Sequence, residues 1–305
     1  MTMAPLFGIA VFFVVWIALR SERARLFRFA HRVFDLRDRG RMEAAVGLVQ
    51  RALDQGRKFP SLVNLAVETL VASSKYSEAL AIPLQFLSEG ATDAVNKVLV
   101  QINLSEAEYN LGRWQQSLSR LSTLDESAAP FDIARAGLAL QRAWILAHTN
   151  RPEEALSAWE QADIDGLPYR YRAEHYFTHV AVLLALDRIE EAEEAAAAGA
   201  DAAVRASSER NALFILARVA ARQRDWARAD SLCQAAAEHR YRGQGGDGLL
   251  LWGDVLTELG RVGPARHAYE LAISRDGQSE SATKAAIRLG LSIVPSRNSE
   301  KRGHS

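Results

Sequence analysis

Residues 249–272 read LLLWGDVLTELGRVGPARHAYELA, a stretch with two helical patterns separated by a glycine. Large and small apolar side chains recur at three- and four-residue intervals on both sides of Gly260: Leu249, Trp252, Leu256, Ala265, Tyr269 and Ala272. This spacing puts the apolar side chains on one face of each helix. The stretch therefore predicts two helices that pack against each other across a short turn.

The same pattern recurs along the chain every 34 to 38 residues. In each copy a small residue stands where the second helix presses closest to the first, because a larger side chain would separate the backbones. These small residues are Ala45, Ala79, Ser117, Ala155, Ala192, Ala229 and Ala265. Three residues earlier comes the predicted contact beside the turn: Met42, Tyr76, Trp114, Pro152, Ile189, Trp226 and Val262. The period predicts seven stacked helical hairpins.

These offsets resemble the tetratricopeptide repeat, whose signature places large, small and aromatic residues over about 34 residues. The resemblance covers roughly residues 26 to 291 and is weakest in the third and fifth copies. It implies an all-α, right-handed superhelical solenoid over residues 21–291, in which neighbouring repeats bury one another's apolar faces. Residues 279–291 are predicted to form a capping helix, and the polar residues 292–305 a disordered tail.

Turn and cap signals follow the same period. Asn150-x-x-Glu153 and Asp187-x-x-Glu190 are typical of helix starts, in which a side chain accepts a hydrogen bond from a free helical amide. Three glycines fall in the turns between paired helices, where a left-handed backbone favours them: Gly40, Gly112 and Gly260. Pro83 falls inside the second helix of the second copy and is expected to bend it.

Residues 1–20 are predicted to form a transmembrane helix. Met1 to Leu19 carry no charged side chain. At about 1.5 Å per residue, such a helix nearly reaches the roughly 30 Å of a hydrocarbon core. A cleaved signal peptide is the competing interpretation, but it requires basic residues before the apolar run and a small-x-small cleavage site after it. Neither signal is present in this stretch.

Residues 20–41 are strongly basic, with eight arginines against Glu22, Asp35 and Asp38. The whole chain has 37 basic and 37 acidic residues, so this excess of five must be balanced by acidic residues elsewhere. Basic flanks stay on the cytoplasmic side of a membrane, which predicts a single-pass protein of the bacterial inner membrane with a cytoplasmic solenoid. Four arginines are placed to meet anionic lipid headgroups: Arg20, Arg23, Arg25 and Arg28. A solvated basic face that only sets topology is the alternative.

The predicted arrangement, one N-terminal membrane span followed by the repeats, resembles that of bacterial inner-membrane assembly proteins of the lipopolysaccharide assembly protein B family. Members of that family carry a four-cysteine metal knuckle after the repeats, whereas this chain has one cysteine, Cys233. A single cysteine excludes an intrachain disulfide. Its position on the packed face of a second helix favours a role as a small core residue.

No pattern in the sequence predicts catalysis or a cofactor. Gly243-x-Gly245-x-x-Gly248 matches a dinucleotide fingerprint formally, but that motif works only after a strand, and a helix is predicted to precede it. His175 and His179 have the spacing of two metal ligands on one helix face, but no third ligand accompanies them. A half-buried structural pair is the expected role of these histidines, and a metal-dependent enzyme is the weaker alternative.

In the tetratricopeptide family, the first helix of each repeat lines a concave groove that binds partners. The resemblance places twelve residues there: Asn64, Glu68, Glu106, Tyr109, Trp144, His148, Phe177, Phe214, Arg218, Arg222, Asp254 and Glu258. Such a groove suits an extended peptide or an amphipathic helix with apolar anchors and mixed charge. The alternative is that Trp144, Phe177 and Phe214 simply pack between repeats.

The predicted function is therefore that of a membrane-anchored scaffold or adaptor for one or more protein partners. Neither nucleic acid nor a small-molecule substrate is expected. The alternative function is an extracytoplasmic assembly chaperone, with the opposite topology or with a cleaved leader.

Overall fold

The structure is a computed structural model that describes residues 25–37, 39, 41–55, 60–82, 94–124, 132–163, 169–205, 209–238, 246–276 and 279–291. Within these ranges all regular structure is helical. The helices are α1 (25–37), α2 (Met42–Asp54), α3 (Pro60–Ala72), α4 (Tyr76–Leu80), α5 (Ala94–Asn110), α6 (Trp114–Ser122), α7 (Asp132–His148), α8 (Pro152–Glu160), α9 (Tyr169–Ala185), α10 (Ile189–Arg205), α11 (Glu209–Arg222), α12 (Trp226–Glu238), α13 (Gly246–Glu258), α14 (Val262–Asp276) and α15 (Glu280–Arg288).

The described helices pair in chain order into the seven predicted hairpins, from α1 with α2 to α13 with α14. The second helix of each pair begins at the residue predicted to lie beside the turn: Met42, Tyr76, Trp114, Pro152, Ile189, Trp226 and Val262. Two of these turn-side residues are nevertheless exposed in part, Trp114 at 37% and Val262 at 75%, so only Val262 lies mostly in solvent. The third and fifth copies, where the signature is weakest, form hairpins like the others.

The seven small residues are all buried, none with more than 3% of its surface exposed. Ser117 shows why a hydroxyl is tolerated at one of them, because its Oγ donates to the Ser105 carbonyl of the facing helix at 2.7 Å. A buried hydroxyl that has a hydrogen-bond partner avoids the cost of desolvation. Gly199 illustrates the same closeness, since a Cβ built there would lie 2.9 Å from Tyr176 Cβ. Small residues therefore set the distance between the paired helices.

The helices form two layers. The first helices of successive hairpins pack side by side, α3 on α5, α5 on α7, α7 on α9, α9 on α11 and α11 on α13. Each second helix packs on its own partner and, in most repeats, on the first helix of the next hairpin, as α10 does with α9 and α11. The apolar interior is accordingly divided into a series of neighbouring clusters. This arrangement is typical of a solenoid, whose repeats contact mainly their neighbours.

The turns between paired helices share one backbone conformation. One residue in each described turn has positive φ, between 60° and 74°: Ser74, Gly112, Asn150, Asp187, Arg224 and Gly260. The next amide then bonds back five residues, as from Arg151 N to the Leu146 carbonyl and from Arg261 N to the Leu256 carbonyl. These bonds satisfy the last carbonyls of the first helix in a Schellman motif.

This turn geometry corrects the interpretation of Asn150 and Asp187 as helix starts. Both residues end the preceding helix in the left-handed conformation, with φ of 60° and 61°. The N-cap of α8 is Arg151, which has no side-chain capping bond. A side chain of the predicted type does cap α12, where Asp225 Oδ1 accepts from Arg228 N at 3.1 Å. Asparagine and aspartate favour both kinds of site, so residue type alone did not separate them.

The second helix of the second hairpin is shorter than expected. α4 ends at Leu80, and Pro83 lies outside the described residues. The bend predicted at Pro83 therefore stays a prediction. The residue before a proline avoids the helical conformation, which favours an end at this point.

Residues 279–291, where a solitary helix is predicted, contain α15. Ser279 caps this helix by accepting from Ala282 N at 3.0 Å. α15 packs on α14 and α13 and so covers the end of the last hairpin. The predicted tail at 292–305 and the predicted membrane span at 1–20 lie outside the described residues. In the part of the chain that is described, no helix is both long enough and apolar enough to cross a bilayer.

Candidate partner-binding groove

The first helices of repeats four to seven surround a cavity of about 600 Å³, which α15 borders at one end. Its wall is mostly apolar, with charged groups at the rim. The lining residues are Ala147, His148, Ala181, Leu184, Ala185, Arg218, Ala221, Arg222, Trp226, Leu251, Asp254, Val255, Thr257, Glu258, Tyr269 and Arg288. Five of the twelve predicted groove residues are among them: His148, Arg218, Arg222, Asp254 and Glu258.

Arg218 of α11 meets Trp144 and His148 of α7 beside this cavity. Its guanidinium carbon lies 5.6 Å from the centre of the Trp144 ring, within range of a cation–π interaction. Its Nη2 lies 2.9 Å from His148 Nε2. The Trp144 and His148 rings are themselves 4.3 Å apart between centres. Three of the twelve predicted groove residues therefore contact one another, an arrangement that the sequence did not predict.

The hydrogen bonds of His148 identify its tautomer. Its Nδ1 lies 2.8 Å from the Trp144 carbonyl oxygen, which can only accept, so Nδ1 carries the proton. Nε2 then accepts from Arg218. The side chain is exposed to solvent but lines the cavity, so protein lies around it as well. Desolvation and the neighbouring Arg218 charge lower the pKa of His148 well below its ordinary value, so the ring is neutral at neutral pH.

Tyr109 of α5 completes this group, with its ring centre 6.0 Å from that of His148 in an edge-on arrangement. Burial raises the pKa of the Tyr109 hydroxyl, and the charges of Asp247 and Glu280 raise it further. The hydroxyl therefore stays protonated. Asp247 belongs to α13 and Glu280 to α15, so the C-terminal end of the described solenoid comes within electrostatic range of α5. We call Tyr109, Trp144, His148 and Arg218 the central cluster.

The far end of the cavity is acidic. Asp254 Oδ1 accepts from the Tyr269 hydroxyl at 2.8 Å and from Arg288 Nε at 3.0 Å. Glu258, one turn further along α13, is exposed and has no hydrogen-bond or ion-pair partner among the described residues. The cavity thus carries a guanidinium at the central cluster and a carboxylate at its other end.

Several predicted groove residues join neighbouring repeats. Glu68 accepts from Arg37 of α1 at 2.8 Å, and Asn64 accepts from Asn103 of α5 at 3.1 Å. Arg222 donates to Asp187 Oδ1 at 2.9 Å and to the Leu184 carbonyl at 3.2 Å. These contacts fix the position of one repeat against the next. Glu106 lies half-buried on α5, one turn before Tyr109.

Phe177 and Phe214 pack between helices. Phe177 is 7% exposed and faces Gly199, where a built Cβ would lie 3.1 Å from its ring. Phe214 covers Gly248 of α13, where a built Cβ would lie 2.6 Å from its ring. Phe214 therefore packs between repeats and Phe177 packs against the partner helix of its own hairpin, whereas Trp144 and Tyr109 belong to the central cluster.

Eleven of the sixteen cavity residues were not predicted as groove residues, and the four with the largest side chains at the proposed anchor and rim positions are Leu184, Trp226, Leu251 and Arg288. Trp226 was assigned only to the turn, and Arg288 only to the capping helix. The signal that could have identified Arg288 is its place in the last turn of α15, which matches that of Arg222 in α11. The other three have no distinguishing pattern in the sequence.

The histidine pair packs on one indole and not around a metal position. The Trp159 ring stacks on His179 with centres 3.7 Å apart, and lies 4.6 Å from the His175 ring. Trp159 Nε1 also donates to the His175 carbonyl at 3.2 Å. Within the described ranges, no group of three or more histidine, cysteine or acidic side chains is placed to hold a metal ion.

The other candidate chemical groups also have structural surroundings. Gly248 of the glycine-rich stretch lies within α13, directly under Phe214, while Gly243 and Gly245 fall outside the described residues. Cys233 is fully buried, and desolvation raises the pKa of its thiol to about 12. A thiol with so high a pKa is unreactive at neutral pH.

Comparison with known proteins supports the fold alone. No family model and no curated protein matches this sequence. A Rap protein, solved in complex with the competence and sporulation factor, aligns over 87% of this chain and 80% of its own, with a TM-score of 0.59 and 13% identity. A tetratricopeptide repeat protein from Parabacteroides merdae aligns over 85% of this chain and 97% of its own, with a TM-score of 0.51 and 13% identity. The chain therefore has a fold of the tetratricopeptide type.

Proposed function

We propose that this protein is a membrane-anchored scaffold that binds a peptide or amphipathic helix of a partner protein in its concave groove. The observation that carries the proposal is the cavity of about 600 Å³ bordered by the central cluster. Its apolar wall offers burial to an anchoring side chain, and its charged rim offers directional contacts. The similar Rap protein was solved with a bound factor, which supports binding as the role of such a fold.

The membrane part of the proposal rests on residues 1–41. The apolar run Met1 to Leu19 has the length of one span. In α1, which follows it, Arg25 and Arg28 are exposed beside Phe27, 73% of which is exposed. Exposed arginine and phenylalanine side chains on one helix suit an anionic lipid surface. We place the solenoid on the cytoplasmic side of a bacterial inner membrane, within an envelope-associated assembly.

Photocrosslinking in the native host tests the groove. A benzophenone amino acid at Ala185, an exposed residue that lines the cavity, should crosslink to a partner protein. The same group at Ala197, which is exposed on α10 of the same repeat and is not among the cavity residues, is the matched control. Partner adducts at 185 and none at 197 are expected. Equal adducts at both positions, or none at 185, would contradict binding in this groove.

Labelling of a single cysteine tests the topology against the extracytoplasmic chaperone. The variant Ser299→Cys places a thiol in the polar tail, while Cys233 is buried and unreactive. An impermeant maleimide should leave intact cells unlabelled and should label the protein after the cells are opened. Labelling in intact cells would contradict the cytoplasmic placement and favour the chaperone with the opposite topology.

A further inference from the structure

Arg218 differs from the other arginines at the cavity in having no acidic partner. Arg222 pairs with Asp187 at 2.9 Å, and Arg288 pairs with Asp254 at 3.0 Å. Among the described residues, none places a carboxylate oxygen within 4.0 Å of Arg218, and its one hydrogen bond goes to His148. The guanidinium has five N–H donors, so four of them are left to other acceptors.

The side chains that contact Arg218 directly among the described residues are uncharged. Its hydrogen-bond partner, His148, is neutral, and the Trp144 ring covers one side of the guanidinium. Desolvation lowers the pKa of Arg218, while the charge of Asp247 acts in the opposite direction. An arginine nevertheless remains protonated in proteins. Arg218 is only partly exposed, and a charge partly withdrawn from water interacts strongly with an opposite charge at hydrogen-bond distance.

The acidic residue Asp247 does not pair directly with the Arg218 guanidinium. Asp247 of α13 is within electrostatic range of Arg218. Its carboxylate instead accepts a hydrogen bond from the Ser281 hydroxyl of α15. Asp247 is thereby tied to the capping helix and attracts the guanidinium only from a distance. A ligand carboxylate that makes direct contact would gain two charge-assisted hydrogen bonds that Asp247 does not provide.

We propose that Arg218 is the carboxylate-binding residue of the groove, and that the partner is an acidic peptide segment whose Asp or Glu side chain pairs with its guanidinium. The occupant is an internal side chain and not a chain terminus. An apolar side chain next to the acid lies in the cavity against Leu184, Trp226 and Leu251. The exposed Glu258 at the other end favours a basic residue on the far side of that anchor. This assignment rests on the proposed function and names the chemistry of its ligand.

The experiment selects displayed random dodecapeptides on the full-length protein in lipid nanodiscs. The peptides are fused at their C-termini to the coat protein, so no free peptide carboxylate is presented. An enriched peptide is then synthesised with its acidic residue intact or changed to the amide. Affinities are measured for the natural protein, for Arg218→Gln and for the control Arg266→Gln. Arg266 is exposed on α14 and pairs with Glu270 at 3.2 Å.

A double-mutant cycle gives the expected result. The acid-to-amide change and Arg218→Gln should each weaken binding about tenfold or more, which is the range of a charge-assisted pair. Made together, they should weaken binding no further than either alone. Arg266→Gln should leave the affinity unchanged. Arg218→Lys, which keeps the charge but not the two-pronged geometry, should lose severalfold and provides a second test if Arg218→Gln does not fold.

Several results would overturn the assignment. Additive losses in the cycle, or an acid-to-amide change that leaves the affinity intact, would show that Arg218 does not bind the carboxylate. If synthetic peptides bind only when their C-terminal carboxylate is free, the group that pairs with Arg218 is the chain terminus and not a side chain. The variant Ala185→Trp, which fills the cavity, distinguishes failure of the Arg218 assignment from failure of the proposed groove binding. If enriched peptides bind that variant undiminished, or if no peptide is enriched, both proposals fail. If the affinity falls with Ala185→Trp but not with Arg218→Gln, the peptide binds in the groove without Arg218, and only the assignment of Arg218 fails.

Discussion

Gly253 determines how closely the last hairpin can pack. A Cβ built there would lie 2.3 Å from Tyr269 Cε1 on the facing helix. The tyrosine ring cannot move away freely, because its hydroxyl bonds to Asp254 at 2.8 Å and to Thr257 at 3.1 Å. The glycine of the repeat signature is therefore required by a neighbouring ring and not by its own backbone conformation.

We expect Gly253→Ala to destabilise the protein by about 1–3 kcal/mol, the usual cost of overpacking a tight core. Gly47→Ala is the matched control, since a Cβ there meets only the end of the Arg51 side chain at 3.4 Å. That change should stabilise α2 by up to about 1 kcal/mol through helix propensity. Urea denaturation of both variants checks the prediction. Equal effects of the two substitutions would contradict the role assigned to Tyr269.

Two histidines lie at the contact between α8 and α9. Trp159 of α8 lies against His175 and His179 of α9, with ring centres 4.6 and 3.7 Å away. His175 is buried, and its Nδ1 has no hydrogen-bond partner among the described residues. Desolvation lowers the pKa of both imidazoles to about 4. His179 also faces Arg188, which lowers its pKa, and Glu191, which raises it. Both rings are therefore neutral in the folded protein at neutral pH.

Stability should fall as the pH is lowered from about 6.5 to about 4. The unfolded histidines bind protons near pH 6.5, while the folded ones do so only near pH 4, so the unfolded state takes up more protons in this window. Between pH 7 and pH 5 we expect a loss of about 1–2 kcal/mol, after discounting for solvent that reaches the rings.

The measurement is urea denaturation at a series of pH values. The double variant His175→Gln and His179→Gln should show a shallower dependence on pH, and His267→Gln, at an exposed position on α14, should keep the dependence of the natural protein. An unchanged slope in the double variant would assign the pH effect to other groups, such as His148.

α15 both covers the last repeat and borders the groove. Its buried face, with Ala282 and Ala285, packs on the hairpin of α13 and α14. Arg288 bonds to Asp254 at 3.0 Å, and Ser281 bonds to Asp247. The same helix brings Lys284 and Glu280 into electrostatic range of His148 and Tyr109, respectively. One capping helix therefore couples the end of the solenoid to its concave surface.

Truncation of the chain after residue 278 should loosen the last hairpin selectively. Because repeats contact mainly their neighbours, amide hydrogen exchange should rise about tenfold or more in α13 and α14 and change little in α3 and α5. The control is Ile287→Ser, which changes a side chain of α15 that is 60% exposed. It should leave exchange unchanged. Uniform loss of protection along the whole solenoid would show instead that the repeats unfold as one unit.

The order of helices, the first residue of each second helix and the seven small packing positions could be predicted from the sequence. They depend on contacts between the two helices of each hairpin, and these contacts leave the same local pattern every 34 to 38 residues. The backbone conformation of each turn was harder to predict from the sequence. Ser74, Asn150, Asp187 and Arg224 occupy the same left-handed position as Gly112 and Gly260, so one backbone geometry accepts several residue types.

Which of the predicted groove residues can contact a partner was decided by the tertiary structure. Asn64, Glu68 and Arg222 have the residue types of a binding surface, yet they bond to neighbouring repeats. Tyr109 and Asp247 come within electrostatic range across 138 residues of chain. Such long-range proximity depends on the rotation of each repeat relative to the one before it. These rotations add up along the solenoid, and a local sequence pattern does not predict their total. The sequence by itself therefore determined which helices pair, whereas only the stacked repeats decided that Arg218 faces the cavity without an acidic partner.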